Sequence, residues 1–102
     1  MNIKDFKNGW IVGNFEPSLF FCEQLDIGVL YLKSGQRGDG HFHKNHTEYN
    51  IIIEGKAKIN DKILNAGDIF IYHKLEKSNV EYLEDTILLV IKNPSTKNDK
   101  YY

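Results

Sequence analysis

The sequence predicts an all-β protein, an antiparallel barrel or sandwich. Apolar residues recur at short periods, and Gly, Asn, Asp and Ser punctuate them every eight to twelve residues, the pattern of many short strands and not of helices. With that many strands in 102 residues, closing the sheet on itself also removes the exposed edges of a flat sheet.

The expected strands run Trp10 to Val12, Leu19 to Cys22, Ile27 to Lys33, His41 to His43, Glu48 to Glu54, Lys56 to Asn60, Ile69 to Tyr72, Val80 to Leu83 and Ile87 to Lys92. Gly35, Gly38 and Gly40 make the segment before His41 a tightly turning one, and Gly55 and Gly67 sit where strands reverse. Asn60-Asp61 separates Ala57-Lys58-Ile59 from Lys62-Ile63-Leu64, and both residues tolerate the positive φ of a two-residue hairpin turn. Along Glu48 to Ile53, Tyr49, Ile51 and Ile53 alternate with Glu48, Asn50 and Ile52, so one set lines the interior and the other packs outside or against a partner.

Bulk composition bounds the function. A chain of 102 residues with 41% hydrophobic residues builds one core, so 1–102 is read as a single domain, with a polar tail, 93–102, that frays unless its tyrosines dock. Lys plus Arg number 13 against 14 for Asp plus Glu, which gives no electrostatic reason to bind nucleic acid or an acidic membrane surface. Cys22 is the only cysteine, so an internal disulfide and a thiolate-rich zinc site are excluded. The first ten residues lack an apolar signal core, and the longest apolar run, Ile87 to Ile91, is far short of a bilayer span, which makes the cytoplasm the expected compartment.

The chemistry concentrates between Gly35 and Gly55. His41, His43 and Glu48 fall within eight residues. On a strand, His41 and His43 project to one face with Phe42 on the other, and after the turn through Lys44 to Thr47 the chain returns so that Glu48 can add an oxygen ligand. Two histidines and one carboxylate on one side of an ion leave positions open for water or substrate. That pattern is associated with non-haem Fe(II), and Zn, Mn, Ni and Co also accept it. Arg37, Asn50 and Tyr31 are the candidate ligand-binding side chains: Arg37 from the glycine-rich turn, Asn50 from the Glu48 face, Tyr31 as an aromatic wall.

The spacing Gly35-x5-His41-x-His43-x4-Glu48-x6-Gly55 resembles the first motif of the cupin superfamily at every defined position. The resemblance, to a small single-domain cupin of RmlC-like type, implies a double-stranded antiparallel β-barrel of the jelly-roll kind with a divalent transition metal, Fe, Mn, Ni or Zn, at its mouth. The second cupin motif fits poorly. It begins at Gly67 and then places His73 at the proline, Leu75 at the glycine, Ser78 at the histidine and Tyr82 at the asparagine, so the family's fourth ligand is missing at Ser78. His73 and Glu76 lie in the loop that normally delivers it and are the expected substitutes; His46 is a further one, expected on the turn and in solvent.

Arg37-Gly38 followed by His41-Phe42-His43-Lys44 also resembles, in part, small cupins that isomerise or epimerise nucleotide-linked keto-sugars. There paired histidines do acid/base work, which makes His41 and His43 catalytic candidates. Three functions follow as expectations: a metal and small-ligand binding cupin, such an isomerase, or a metal-dependent dioxygenase. The expected ligand is a small molecule, possible carbohydrate derivatives included, and the surplus of alternating apolar residues predicts a homodimer.

Overall fold

A computed structural model describes all residues from Met1 to Tyr102. After a three-residue 3-10 turn, Ile3–Asp5, the chain forms nine strands: β1 (Trp10–Gly13), β2 (Phe20–Phe21), β3 (Asp26–Leu32), β4 (Thr47–Glu54), β5 (Lys56–Ile59), β6 (Lys62–Asn65), β7 (Ile69–Tyr72), β8 (Val80–Tyr82) and β9 (Thr86–Asn93). They make a six-stranded sheet in the order β2-β1-β3-β9-β4-β7 and a three-stranded sheet in the order β6-β5-β8. All strand pairs are antiparallel except β1 with β2. No helix is long and apolar enough to cross a membrane.

Turn chemistry explains the connections. Asn60 and Asp61 adopt φ of 49° and 64°, the double positive φ of a hairpin turn whose twist matches that of β5 and β6. Gly55, between β4 and β5, has φ of 105°, and a Cβ there would lie 2.4 Å from Thr86 Oγ1 and 2.6 Å from the Asp85 carbonyl oxygen. Only glycine meets both demands.

The core lies between the two sheets and unites Ile52, Ala57, Phe70, Val80, Tyr82, Leu88 and Val90. Five strands contribute to it, and at about 2 kcal/mol per buried aliphatic side chain this cluster fixes the register of β4 against β9. In β4 the inward set begins with Glu48 and continues through Asn50 and Ile52, whose exposures are 2% and 0%. The hydrophobic periodicity thus forces a carboxylate and an amide into the barrel at the end where the core stops. The outward set stays partly exposed. Ile51 sits between Leu89 of β9 and Ile69 of β7, and Tyr49 between Ile91 and Ile71.

One expected strand is not formed: His41 to His43 makes a single bridge, Phe42 with Tyr101. Its partner comes from the tail. Tyr101 and Phe42 exchange backbone hydrogen bonds of 2.8 and 2.9 Å, and Asp99 is buried, so the tail is docked and not frayed.

Candidate metal centre

The histidine segment is held by backbone on both sides. Tyr101 pairs with Phe42 on one side; on the other, Ser78 N donates to the His41 carbonyl at 3.0 Å and Leu75 N to the His43 carbonyl at 2.6 Å. This anchoring sends the His41 and His43 rings to the barrel mouth, 4.9 Å apart between centroids. Glu48 arrives as the second residue of β4, paired between Tyr72 and Lys92. His43 Nε2 lies 3.0 Å from Glu48 Oε2.

A third imidazole joins them. His46 is 1% exposed, which corrects the expectation of a solvent-facing turn residue. Its ring centroid lies 4.0 Å from that of His43, and its Nε2 is 3.5 Å from the same Glu48 Oε2. The physical reason is Asp99, which the tail brings beneath the turn. Asp99 Oδ1 accepts from Lys44 N at 3.1 Å and Asn45 Nδ2 at 3.1 Å, and Oδ2 accepts from Asn45 N at 2.8 Å and faces His46 Nδ1 at 3.0 Å. The same residue's carbonyl oxygen accepts from His43 Nδ1. Thr96 Oγ1 also contacts His46 Nδ1, at 2.6 Å.

These contacts fix the tautomers. A carbonyl and a carboxylate only accept, so Nδ1 carries the hydrogen in His43 and His46, and in each neutral ring Nε2 presents its lone pair. His41 is oriented likewise by Asp39, which takes its Nδ1. The Nε2 atoms of His43 and His46 are buried and lack a hydrogen-bond partner of good geometry. Acceptors around one divalent ion, each bonded at about 2.0–2.2 Å, stand roughly 3.4 Å from one another in a tetrahedral shell. The two separations to Glu48 Oε2 bracket that value, so Glu48 fits a metal shared with either ring.

His43, His46 and Asp99 also gather one donor atom each within 4.8 Å of one another. Because both Asp99 oxygens are already filled by donors, its part is to orient the imidazoles, the role that outer carboxylates play around bound metals. Burial pushes the Glu48 carboxyl up, but the His43 and His46 rings beside it outweigh burial and hold the group at about 2. The Glu48 carboxylate close to Nε2 raises His43 above its ordinary value in turn, against the opposing effect of burial.

The remaining expected residues divide. His41, Glu48, Asn50 and Arg37 line one cavity of about 240 Å³ that opens at the mouth over Val80 and Leu88. Asn50 donates to the Glu48 carbonyl at 3.5 Å, and the exposed Arg37 pairs with Glu81 at 3.4 Å. Tyr31 is not in this cavity: it is 62% exposed on the outer face, because odd positions of β3 face away from the core. His73 and Glu76 do not reach the site either. A turn closed by Glu76 N donating to the His73 carbonyl at 3.1 Å leaves both exposed, while Ser78 lines the cavity. Asp39, Asp99, Tyr72 and Lys100 were missed; only the motif-adjacent Asp39 carried a local sequence signal.

A two-sheet antiparallel barrel with histidines and a glutamate at its mouth defines the class: a cupin. The chain belongs to the quercetinase C-terminal cupin domain family, whose model matches residues 17–92. No curated protein matches it. Among solved structures it is similar to KdgF from Halomonas sp., at 18% identity and a TM-score of 0.69 over 76% of this chain and 74% of that one. It is similar also to an RmlC-like cupin from Shewanella frigidimarina, at 23% identity and 0.68 over 76% and 73%. The bacterial pirin YhhW from Escherichia coli, in complex with nickel(II), matches at 11% and 0.67 over 86% of this chain and 39% of that one. At these identities the likeness shows the fold.

Proposed function

We propose that this cupin binds a divalent transition metal through His41, His43 and Glu48 and presents it to a small polar ligand in the mouth cavity. The observation that carries the reading is the meeting of unpartnered, buried histidine nitrogen and the Glu48 carboxylate. Iron, manganese, nickel and zinc all suit such a donor set, and the nickel(II) in the pirin neighbour supports a metal of this class. Bound metal would supply Lewis acidity at the mouth. The chain's own groups do the rest: Asn50 and Arg37 offer hydrogen bonds to the ligand, and the apolar floor excludes water beneath it.

Cavity size weighs on the alternatives. At about 240 Å³ the space is below the roughly 300 Å³ at which drug-sized pockets begin, so it suits a ligand of a few heavy atoms or a single sugar ring. An isomerase of nucleotide-linked keto-sugars, with His41 and His43 moving protons, would have to leave its nucleotide outside, against an Arg37 already paired with Glu81. A metal-dependent dioxygenase is compatible with the donor set and is supported by the quercetinase name of the family.

Elemental analysis of protein purified without tag or chelator tests the reading. Near one equivalent of metal is expected in the wild type, and its loss in His43→Ala. Stoichiometric metal surviving His41→Ala, His43→Ala and Glu48→Ala alike would remove the site.

We also propose that the protein is a cytoplasmic homodimer. The support is the outer face of the large sheet, where Ile51, Ile53, Ile69, Ile71, Leu89 and Tyr31 lie on neighbouring strands, four of them exposed by more than a third. Such an uncharged face is complementary to a copy of itself.

A further inference from the structure

Ser78 stands where the cupin family's second motif would place a histidine, and the loop around it turns His73 and Glu76 to solvent. We infer that His46 is a metal ligand in that histidine's stead, so that the centre comprises His41, His43, His46 and Glu48. The inference rests on the metal-binding reading of this site.

His46 is almost wholly buried, and its Nε2 has no hydrogen-bond partner. That atom does not face apolar surroundings, which would make it a packing residue; it faces Glu48 Oε2 at 3.5 Å, beside His43 Nε2, which faces the same oxygen at 3.0 Å. Both Nε2 atoms thus approach one and the same carboxylate oxygen. With both rings neutral, the state in which they can bind a metal, three acceptors meet: two imidazole lone pairs and a carboxylate oxygen. A water molecule has two hydrogens and can satisfy two of them. A single cation satisfies all three. Protonating one ring would settle one contact and leave the other lone pair against the carboxylate.

The backbone around His46 is built to hold this arrangement. Asp99 accepts from the N–H groups of Lys44 and Asn45 while taking His46 Nδ1, and Thr96 takes the same nitrogen from the other side. The ring's outer nitrogen is thereby committed and its inner one is free to coordinate, as for histidines whose second nitrogen is fixed by a carboxylate.

The test is to load the full chain with one equivalent of Cu(II) and count the coordinated imidazoles from their remote-nitrogen modulation in pulsed EPR. Three are expected in the wild type and two in His46→Gln, with Zn(II) affinity falling about a hundredfold in that variant and unchanged in His73→Ala. Two imidazoles in the wild type would overturn the inference while leaving the reading of His41, His43 and Glu48 intact. Three in both proteins would place the third ring elsewhere and overturn it equally. No coordinated imidazole in the wild type would overturn both. If His46→Gln fails to fold, His73→Ala decides the matter, because its only histidines are His41, His43 and His46: three coordinated imidazoles there support the inference and two overturn it.

Discussion

Replacing Asp99 with Asn probes the centre without removing any proposed ligand. The carboxylate takes four contacts: Lys44 N and Asn45 Nδ2 at Oδ1, Asn45 N and His46 Nδ1 at Oδ2. The amide has the same shape but turns one acceptor into a donor, so either orientation sets donor against donor at two of the four. Charge-assisted hydrogen bonds of buried groups contribute about 1.5–3 kcal/mol each, and allowing Asn45 Nδ2 to rotate away leaves an expected loss of about 3 kcal/mol. At about 4 °C per kcal/mol for a domain of this size, Asp99→Asn should melt about 12 °C below the wild type at pH 7 when both are metal-free. Zn(II) affinity should fall 10- to 100-fold, since the ring of His46 loses its orientation. Burial pushes the Asp99 carboxyl up, but the N–H groups of Asn45 and Lys44 more than offset this and hold it below its ordinary value of 3.8. A carboxyl lowered on folding stabilises above its unfolded value, and that contribution is lost as pH falls through the folded one. The gap between the proteins should therefore close below about pH 4. A variant that melts within about 2 °C of the wild type at pH 7 and binds Zn(II) equally would refute the orienting role of Asp99.

The centre should also be sensitive to pH in solution. His43 is raised above 6.5 by Glu48, so a metal must displace its proton, and Zn(II) affinity measured by chelator competition should fall about tenfold per unit as pH drops below the raised value; a flat profile between pH 6 and 8 would contradict it. For the metal-free protein the signs differ: the His43 contribution is full below 6.5 and lost as pH rises through the raised value, and that of Glu48 is full above 4.5 and lost toward 2, so the pair stabilises most between about 4.5 and 6.5. Gly55→Ala should cost about 3 kcal/mol by urea unfolding, given its left-handed φ and the Thr86 contact, and a loss under about 1 kcal/mol would show that the β4–β5 turn can shift. Ile51→Lys should convert a dimer to a monomer in sedimentation, with metal content unchanged; an unaltered sedimentation coefficient would place the interface elsewhere.

Much of the fold was legible because strand signals here are local. Alternation along Glu48 to Ile53 separated two opposed sets, of which burial turns Glu48, Asn50 and Ile52 inward, and Asn60-Asp61 marked the hairpin with both positive φ values. The motif spacing singled out His41, His43 and Glu48, and the His43 ring lies beside both His41 and Glu48. What stayed hidden depends on contacts across the chain. His46 looked like a turn residue because the group that buries it, Asp99, lies more than fifty positions on, in a segment whose polarity suggests solvent. His73 and Glu76 looked like ligands because they occupy the right loop, but side-chain direction there is set by the turn between them. Tyr31 was placed in the cavity on aromatic character alone, where strand parity sends it outside.

The tail reverses the usual relation between polarity and order. Ten residues from Asn93 to Tyr102 bury little apolar surface, so hydrophobicity cannot hold them. They are held by the site: Asp99 on His43, His46 and the turn between them, Tyr101 on Phe42, and Lys100 and the Tyr102 hydroxyl on Asp39, the residue that orients His41. Each proposed imidazole ligand is thus tied through Nδ1 either to a tail residue or to a residue the tail contacts. Ordering the tail and orienting the histidines are therefore one event, and a metal that needs the histidines oriented must favour the docked tail by the same free energy with which the docked tail favours the metal.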